Sequence, residues 1–291
     1  MNRAVIALAA SGWLAACGGA PQTNLAIPSP SPPPVPPVKV VIVSIDGLRP
    51  DAAQRLNNLS ALTRRGTFTW RAQTVVPSNT LPSHASMLTG YQPVRHGITW
   101  DDYLPARGVI REPTVFLAAR RAGLRAAMVA GKEKFNTFRD TGDIDFFVGG
   151  ARSDVDVMDQ ALAQLFAGVD LLFVHLPDVD LSGHASSWMS PTYMETAVRA
   201  DAALGRLIGV LPENTTLIVT ADHGGHGTIH GTTDPLDMTI PWIITGPRIR
   251  AGHALIGAVS TMDTAATAGF ILGLTLPPDV SGRPVLEAFA R

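Results

Sequence analysis

The amino-acid sequence predicts an α/β fold, with helices on both faces of a mostly parallel central sheet. Two observations support this prediction. Four short apolar runs, rich in β-branched residues, are typical of strands buried on both faces. Segments with helical periodicity separate these runs, and the alternation of strands and helices favours parallel pairing. The four predicted strands cover residues 38–45, 124–130, 171–176 and 216–221.

Residues that commonly start or end a helix bound the predicted helices. The first covers residues 50–65, with Pro50 at its start and Gly66 just past its end. Another covers residues 80–89 and ends at Gly90. Three more are predicted for residues 114–121, 155–166 and 191–211. The sequence contains no internal repeat, so we expect residues 39–291 to form a single catalytic domain.

Residues 1–16 resemble a bacterial lipoprotein signal. Arg3 gives a positive start, and residues 4–14 form an apolar run that is too short to span a bilayer as a helix. Small residues then precede Cys17, the only cysteine of the chain. We expect Cys17 to be lipidated; an ordinary signal peptide with an incidental cysteine is the alternative.

Residues 17–38 contain the lipidated Cys17 and a proline-rich linker, with seven prolines among residues 28–38. Such a segment favours extended polyproline II and forms a semi-rigid spacer. We therefore expect a folded domain that is lipid-anchored in the bacterial cell envelope. The periplasmic face of a membrane is favoured, and the outer membrane in particular.

Composition excludes several classes of protein. The chain has 23 Lys and Arg against 24 Asp and Glu, a net charge of −1, so bulk attraction to nucleic-acid polymers is not expected. A single cysteine excludes a disulfide scaffold and a thiolate zinc site.

Asp and His residues follow three of the four predicted strands. In open α/β sheets, ligands bind beyond the carboxyl ends of the strands, so these residues are expected to meet. Asp and His without thiolates suit zinc, manganese or iron. Six such side chains would hold two metal ions, which can bind the attacking and leaving oxygens of a phosphoryl displacement. The candidate ligands are Asp46, Asp180, His184, Asp222, His223 and either His226 or His230.

Thr80 is the candidate nucleophile. It stands at the start of the helix predicted for residues 80–89. The N-terminus of a helix presents free N–H groups and a positive dipole end, which favour phosphate. A hydroxyl bound there to a divalent metal would be activated for attack. Ser78 and Ser83 are the alternative hydroxyls in this segment.

Four blocks of sequence together resemble the alkaline phosphatase superfamily, and most closely its branch of type I phosphodiesterases and nucleotide pyrophosphatases. The blocks are IDG after the first strand, NTLPSHASMLTGYQPVRHGI, DVDLSGH, and TADHGGHGTIHG before TIPWIITGP. The resemblance implies an alkaline phosphatase-like fold, two bound metals, usually zinc, and a phospho-threonine intermediate. It assigns Asp46, Asp222 and His223 to the metal beside Thr80. It assigns Asp180, His184 and a third histidine to the other metal.

The sequence departs from this family at two points. The third histidine is His226 or His230, and spacing like that of related phosphoethanolamine transferases favours His230. Related sequences usually place an Asn near residue 101, where its amide donates to a phosphoryl oxygen, whereas this chain has Asp101 and Asp102. Asp101 and Lys132, which follows a strand, are therefore candidate contacts to substrate.

The sequence predicts a metal-dependent phosphoester hydrolase that acts on a small-molecule phosphoester. The alternatives within the superfamily are a phosphonate hydrolase, a phosphomonoester hydrolase and a phospho-headgroup transferase. A non-catalytic, ligand-binding lipoprotein is the alternative from another class. The identity of the metal and the oligomeric state are left open.

Overall fold

The computed structural model describes Met1, residues 39–150 and residues 152–290. The predicted signal, Cys17 and the proline-rich linker lie outside the described residues. The described residues from 39 to 290 belong to one compact unit. None of the helices within the described ranges combines the length and the apolar character that a membrane span requires.

Within the described ranges, eight strands form one mixed sheet in the order β4-β3-β5-β1-β6-β7-β2-β8. The strands are β1 (Lys39–Ile45), β2 (Thr67–Gln73), β3 (Ala126–Ala130), β4 (Phe146–Val148), β5 (Leu171–Leu176), β6 (Thr215–Thr220), β7 (Thr239–Thr245) and β8 (His253–Ala254). Only β7 runs against β1; the other described strands run parallel to it. The predicted α/β fold with a mostly parallel sheet is therefore confirmed.

Helices cover the sheet in two groups. The helices are α1 (Pro50–Ala53), α2 (Asn57–Arg65), α3 (Thr80–Thr89), α4 (Pro93–His96), α5 (Val115–Arg121), α6 (Asn136–Arg139), α7 (Asp154–Phe166), α8 (Asp178–Ser186), α9 (Pro191–Ile208), α10 (Pro235–Met238) and α11 (Asp263–Leu272). Helices α2, α7 and α8 pack against α9, whereas α3, α5 and α11 pack against one another. The apolar residues of the central strands are buried between these layers.

The helix predicted for residues 50–65 is in fact two helices. The chain is extended at Leu56, whose side chain is buried in the core. The carboxylate of Asp201, on α9, then accepts hydrogen bonds from the backbone N–H groups of Asn58 (2.9 Å) and Leu59 (3.1 Å). This tertiary cap satisfies the first turn of α2, so a new helix starts where the sequence pattern is continuous.

The register of the central strands brings three strand ends together. Strand β1 lies between β5 and β6, and its Ser44 is paired with His175 on one side and Thr220 on the other. The residues just beyond these three strands therefore meet at one edge of the sheet. Asp46 directly follows β1, and α8 begins two residues after β5.

A pair of reciprocal hydrogen bonds ties the start of α8 to the start of α7. The backbone N–H of Asp154 donates to Asp178 Oδ2 (3.1 Å), and the N–H of Asp178 donates to Asp154 Oδ1 (3.0 Å). Asp154 is buried, and its Oδ2 has no hydrogen-bond partner. Burial and the nearby Asp178 carboxylate raise the pKa of Asp154 to about 7.

We predict that Asp154→Asn stabilises the protein at alkaline pH. The folded state holds the Asp154 proton up to about pH 7, whereas the unfolded chain releases it near pH 4. Wild-type stability from this group therefore falls as pH rises between those values. The variant should gain on the order of 1–3 kcal/mol in unfolding free energy at pH 8 and much less at pH 4. Denaturant titrations at both pH values measure this difference.

The exposed Asp156, on the same helix, provides the matched control. Asp156→Asn should show no comparable dependence on pH. Equal stability differences for Asp154→Asn at pH 4 and pH 8 would contradict the prediction.

Candidate metal centre

Three carboxylates meet beyond the carboxyl ends of the central strands. Asp46 follows β1, Asp180 lies in the first turn of α8, and Asp222 lies two residues past β6. All three are buried. Gly47, at a positive φ of +67°, turns the chain so closely past Asp180 that a Cβ there would lie 3.1 Å from the Asp180 Cα. The Gly47 N–H donates to Asp222 Oδ1 (3.1 Å) and so joins two of the carboxylates to one turn.

Each carboxylate has one buried oxygen without a hydrogen-bond partner. These atoms are Asp46 Oδ1, Asp180 Oδ1 and Asp222 Oδ2. All three lie around His223 Nε2, at 3.3, 4.0 and 3.3 Å, respectively. An unpaired buried carboxylate oxygen is costly, so three of them at one point require a positive charge.

The tautomer of His223 sharpens this requirement. Its Nδ1 lies 2.7 Å from the carbonyl oxygen of Gly224 and must donate there. In the neutral ring, Nε2 then presents a lone pair towards the carboxylate oxygens. Burial alone would lower the pKa of His223, but Asp222 and Asp46 raise it to about 10, so a proton on Nε2 would supply the positive charge here whenever a metal ion does not. Asp46, Asp222 and His223 place their ligand atoms within 4.8 Å of one another and can hold a metal ion.

A second group of possible ligands lies around Asp180 Oδ1, the oxygen that also faces His223. This oxygen is 3.5 Å from His184 Nε2 and 3.6 Å from His230 Nε2. The two Nε2 atoms are 3.1 Å apart. Each ring donates Nδ1–H to a backbone carbonyl, that of Thr228 for His184 and that of Ser78 for His230. Two lone pairs and a carboxylate oxygen thus face one another, which is an arrangement suited to a cation.

His226 does not join this group. Its Nδ1 pairs with Oδ1 of the buried Asp237 (2.7 Å), whose other oxygen accepts from Thr232. The structure therefore brings His230, and not His226, next to Asp180. His230 also stacks on His223, with ring centroids 3.7 Å apart.

Lys132 neutralises part of this negative charge. Its ammonium lies 2.6 Å from Asp46 Oδ2 and 2.5 Å from Asp180 Oδ2, so it uses the oxygens that face away from the possible metal positions. Burial opposes ionisation of both partners, yet the Lys132 charge keeps the pKa of Asp46 well below its usual value. Lys132, a predicted contact to substrate, thus contacts these two carboxylates in the structure.

The sequence analysis missed His175. This histidine lies in the apolar strand β5, with Nε2 2.8 Å from Asp46 Oδ2, and the Gly131 N–H donates to its Nδ1. Nδ1 is therefore the acceptor, and Nε2–H donates to the carboxylate. A histidine inside a fully buried strand, one residue before its end, is the signal that could have indicated this role.

Thr80 is buried at the first position of α3. Its Oγ1 is 3.5 Å from His223 Nε2. His84, one turn later, donates Nδ1–H to the Thr80 carbonyl (2.7 Å) and fixes the start of the helix. The alternative hydroxyls are engaged elsewhere, because Ser83 pairs with Thr74 and Ser78 donates to the Thr232 carbonyl.

Asp101 lies at the N-terminus of α3, and both of its carboxylate oxygens are bonded there. Its Oδ1 accepts from the backbone N–H of Leu81 (2.8 Å), the residue after Thr80. Its Oδ2 pairs with Lys134 Nζ (2.6 Å). The neighbouring Asp102 is exposed.

The fold and these clusters define an α/β protein with a candidate metal centre beside a threonine on a helix. Residues 40–241, more than half of the chain, match the family described as type I phosphodiesterase / nucleotide pyrophosphatase. The chain belongs to this family, whose members hydrolyse phosphoric ester bonds. Its predicted membership of the alkaline phosphatase superfamily is thereby confirmed.

One curated relative is 2,3-bisphosphoglycerate-independent phosphoglycerate mutase of Rhodopirellula baltica. It is 30% identical over 149 residues, which are 45% of this chain and 25% of that protein. The match thus spans about a quarter of the length of that relative.

Solved structures confirm the alkaline phosphatase-like fold. Murine ectonucleotide pyrophosphatase / phosphodiesterase 5 superposes with a TM-score of 0.73 at 16% identity, covering 87% of this chain and 100% of that one. The phosphonate monoester hydrolase of Silicibacter pomeroyi gives a TM-score of 0.67 at 18% identity, covering 85% and 76%. At these identities the likeness concerns the fold alone.

We predict that His230→Asn weakens metal binding and that His226→Asn does not. Of these two histidines, His230 directs Nε2 at Asp180 Oδ1, whereas His226 contacts Asp237, to which an amide at position 226 can still donate. Removing a residue that hydrogen-bonds to a metal ligand typically costs roughly 10- to 100-fold in metal affinity. Removing the ligand itself should reduce the affinity for one metal by at least as much. Elemental analysis after dialysis against a zinc buffer measures the metal content of both variants. Equal loss in the two variants would contradict the assignment.

Proposed function

We propose that this protein is a metal-dependent phosphoester hydrolase with Thr80 as its nucleophile and two bound divalent metals, zinc being favoured. The observation that carries the proposal is the convergence of three unpaired buried carboxylate oxygens with histidine Nε2 atoms next to the Thr80 hydroxyl. The family match supports the reaction class.

Two sets of residues would hold the metals. Asp46, Asp222 and His223 would hold the ion beside Thr80, and Thr80 Oγ1 would complete this set. Asp180, His184 and His230 would hold the other ion. His184 is partly exposed, with 44% of its side chain accessible, so this second position faces solvent. Carboxylate and imidazole ligands suit zinc, and manganese or iron are alternatives.

When bound, the metals would activate the attacking hydroxyl and stabilise charge on the leaving group. The chain's own residues supply positioning. Helix α3 directs its positive N-terminal end at a phosphoryl group bound beside Thr80. His84 and His223 fix the backbone and the hydroxyl of Thr80.

In the proposed reaction, Thr80 Oγ1 attacks phosphorus and the bond to the leaving alcohol breaks. Water then hydrolyses the phospho-threonine and restores the hydroxyl. A murine relative of this fold has been solved as an inactive variant, with one threonine replaced by alanine, in complex with AMP. That structure supports testing a threonine nucleophile and a small phosphoester substrate here. A phosphodiester is the favoured substrate.

A cavity of about 450 Å³ adjoins Lys132 and would receive part of the substrate. Its lining includes Arg152, Asp178 and the exposed apolar side chain of Leu181. The lining thus combines an apolar side chain with charged side chains of both signs, Lys132 and Arg152 against Glu133 and Asp178, which suits an organic leaving group with polar substituents.

We also infer that the enzyme is anchored through a lipidated Cys17 in the bacterial cell envelope. The support is the sequence alone, since Cys17 is the only cysteine and follows a short apolar run. Feeding cells a radiolabelled fatty acid should label the wild type and leave Cys17→Ser without label. Equal labelling of the two proteins would refute the anchor.

We predict that Thr80→Ala abolishes hydrolysis of bis-p-nitrophenyl phosphate by the zinc-loaded protein. Removal of a nucleophile typically costs 10³-fold or more in kcat. Ser83→Ala is the matched control, because it removes a hydroxyl of the same helix that pairs with Thr74. The control should retain kcat within a few-fold. A Thr80→Ala variant with wild-type kcat would refute the nucleophile.

A further inference from the structure

We propose that Asp101 and Lys134 select for substrates whose phosphoryl group carries a single negative charge. Phosphodiesters would then be favoured over fully ionised phosphomonoesters. The inference rests on the proposed function of this site and names the charge class of its substrate.

Most backbone N–H groups at the start of α3 are not free to bind a phosphoryl group. Helix N-termini bind anions through their unpaired backbone N–H groups. Here the Leu81 N–H is already taken by Asp101 Oδ1, at 2.8 Å. Pro82 has no N–H, and the Ser83 N–H donates to the Asn79 carbonyl at 3.0 Å. The N–H of Thr80 itself is therefore the one first-turn donor that these bonds leave for a phosphoryl oxygen.

The two lysines near this helix, Lys132 and Lys134, are already paired with carboxylates. Lys134 Nζ lies 2.6 Å from Asp101 Oδ2, and both side chains are largely buried, with 17% and 27% of them exposed. Lys132, two residues earlier, is held by Asp46 and Asp180. Carboxylates of the chain thus neutralise both ammonium groups of this loop. Neither lysine offers its charge to a second phosphoryl charge.

Phosphomonoesters and phosphodiesters differ in the charge that this site would have to accept. A phosphomonoester carries close to two negative charges above its second pKa of about 6, whereas a diester carries one. An added charge bound at Thr80 would lie within a few ångströms of the Asp101 carboxylate. Repulsion at such a distance corresponds to roughly a tenfold difference in rate or affinity. A neutral amide at position 101 would remove that repulsion and could donate to the added oxygen.

The test compares two substrates on the zinc-loaded full chain at pH 8. The quantity measured is the ratio of kcat/KM for p-nitrophenyl phosphate to kcat/KM for bis-p-nitrophenyl phosphate. Asp101→Asn should raise this ratio about tenfold. Lys134→Gln, which leaves the Asp101 charge uncompensated, should lower it. The matched control Asp102→Asn removes the same charge one residue away, at an exposed position, and should leave the ratio within twofold.

A binding measurement makes the outcome independent of turnover. Calorimetry on the zinc-loaded proteins gives the Kd values of inorganic phosphate and dimethyl phosphate. Asp101→Asn should tighten phosphate relative to dimethyl phosphate about tenfold. If wild type hydrolyses neither ester but this shift occurs, the proposed function fails and the charge selection stands. If Asp101→Asn leaves both the rate ratio and the Kd ratio unchanged in a folded protein, the charge selection is refuted whatever the wild type hydrolyses.

Discussion

Mutual repulsion among three buried carboxylates is the constraint on which this structure depends. Asp46, Asp180 and Asp222 share one small volume at the edge of the sheet, away from solvent. Holding like charges so close together costs several kcal/mol unless positive charge lies among them. Lys132 and His175 supply part of the compensation by taking the outward oxygen of Asp46. The inward oxygens have no hydrogen-bond partner, so a cation would be stabilised between them, as the candidate metal centre requires.

The parallel sheet explains why this concentration of charge can be built at all. Strands β5, β1 and β6 are adjacent and run in the same direction, so three separate segments deliver side chains to one place. Burial of the apolar strands offsets the unfavourable free energy of this charge cluster, because it fixes the register that brings Ser44, His175 and Thr220 level with one another. Three backbone carbonyls orient the histidines of the site. Those of Gly224, Thr228 and Ser78 each hold the Nδ1–H of one histidine and turn its Nε2 towards the carboxylates.

Much of this could be predicted from the sequence, because buried parallel strands are continuous apolar runs and the residues after them are easily read. Residues 171–176 were predicted with the bounds of β5, and residues 80–89 with those of α3. Strands β2, β4, β7 and β8 were missed. Strands β4 and β8 have only three and two residues, β7 contains Pro241, which is uncommon in strands, and β2 pairs only with segments distant in sequence. His175 was missed because its place near the end of a buried strand indicates a paired histidine but not that Asp46 is its partner. The contacts of Asp101 with Leu81 and Lys134 depend on the path of a loop, which no local pattern encodes.

The short loop between β3 and α6 has a consequence for how such a protein can evolve. Lys132 and Lys134 lie two residues apart, and one serves the carboxylates of the metal centre while the other serves Asp101. Insertion or deletion of one residue between them would change the spacing of the two ammonium groups, so at least one of these ion pairs would be lost. A change in the length of this loop would therefore couple the proposed retention of metal to the proposed preference for substrate.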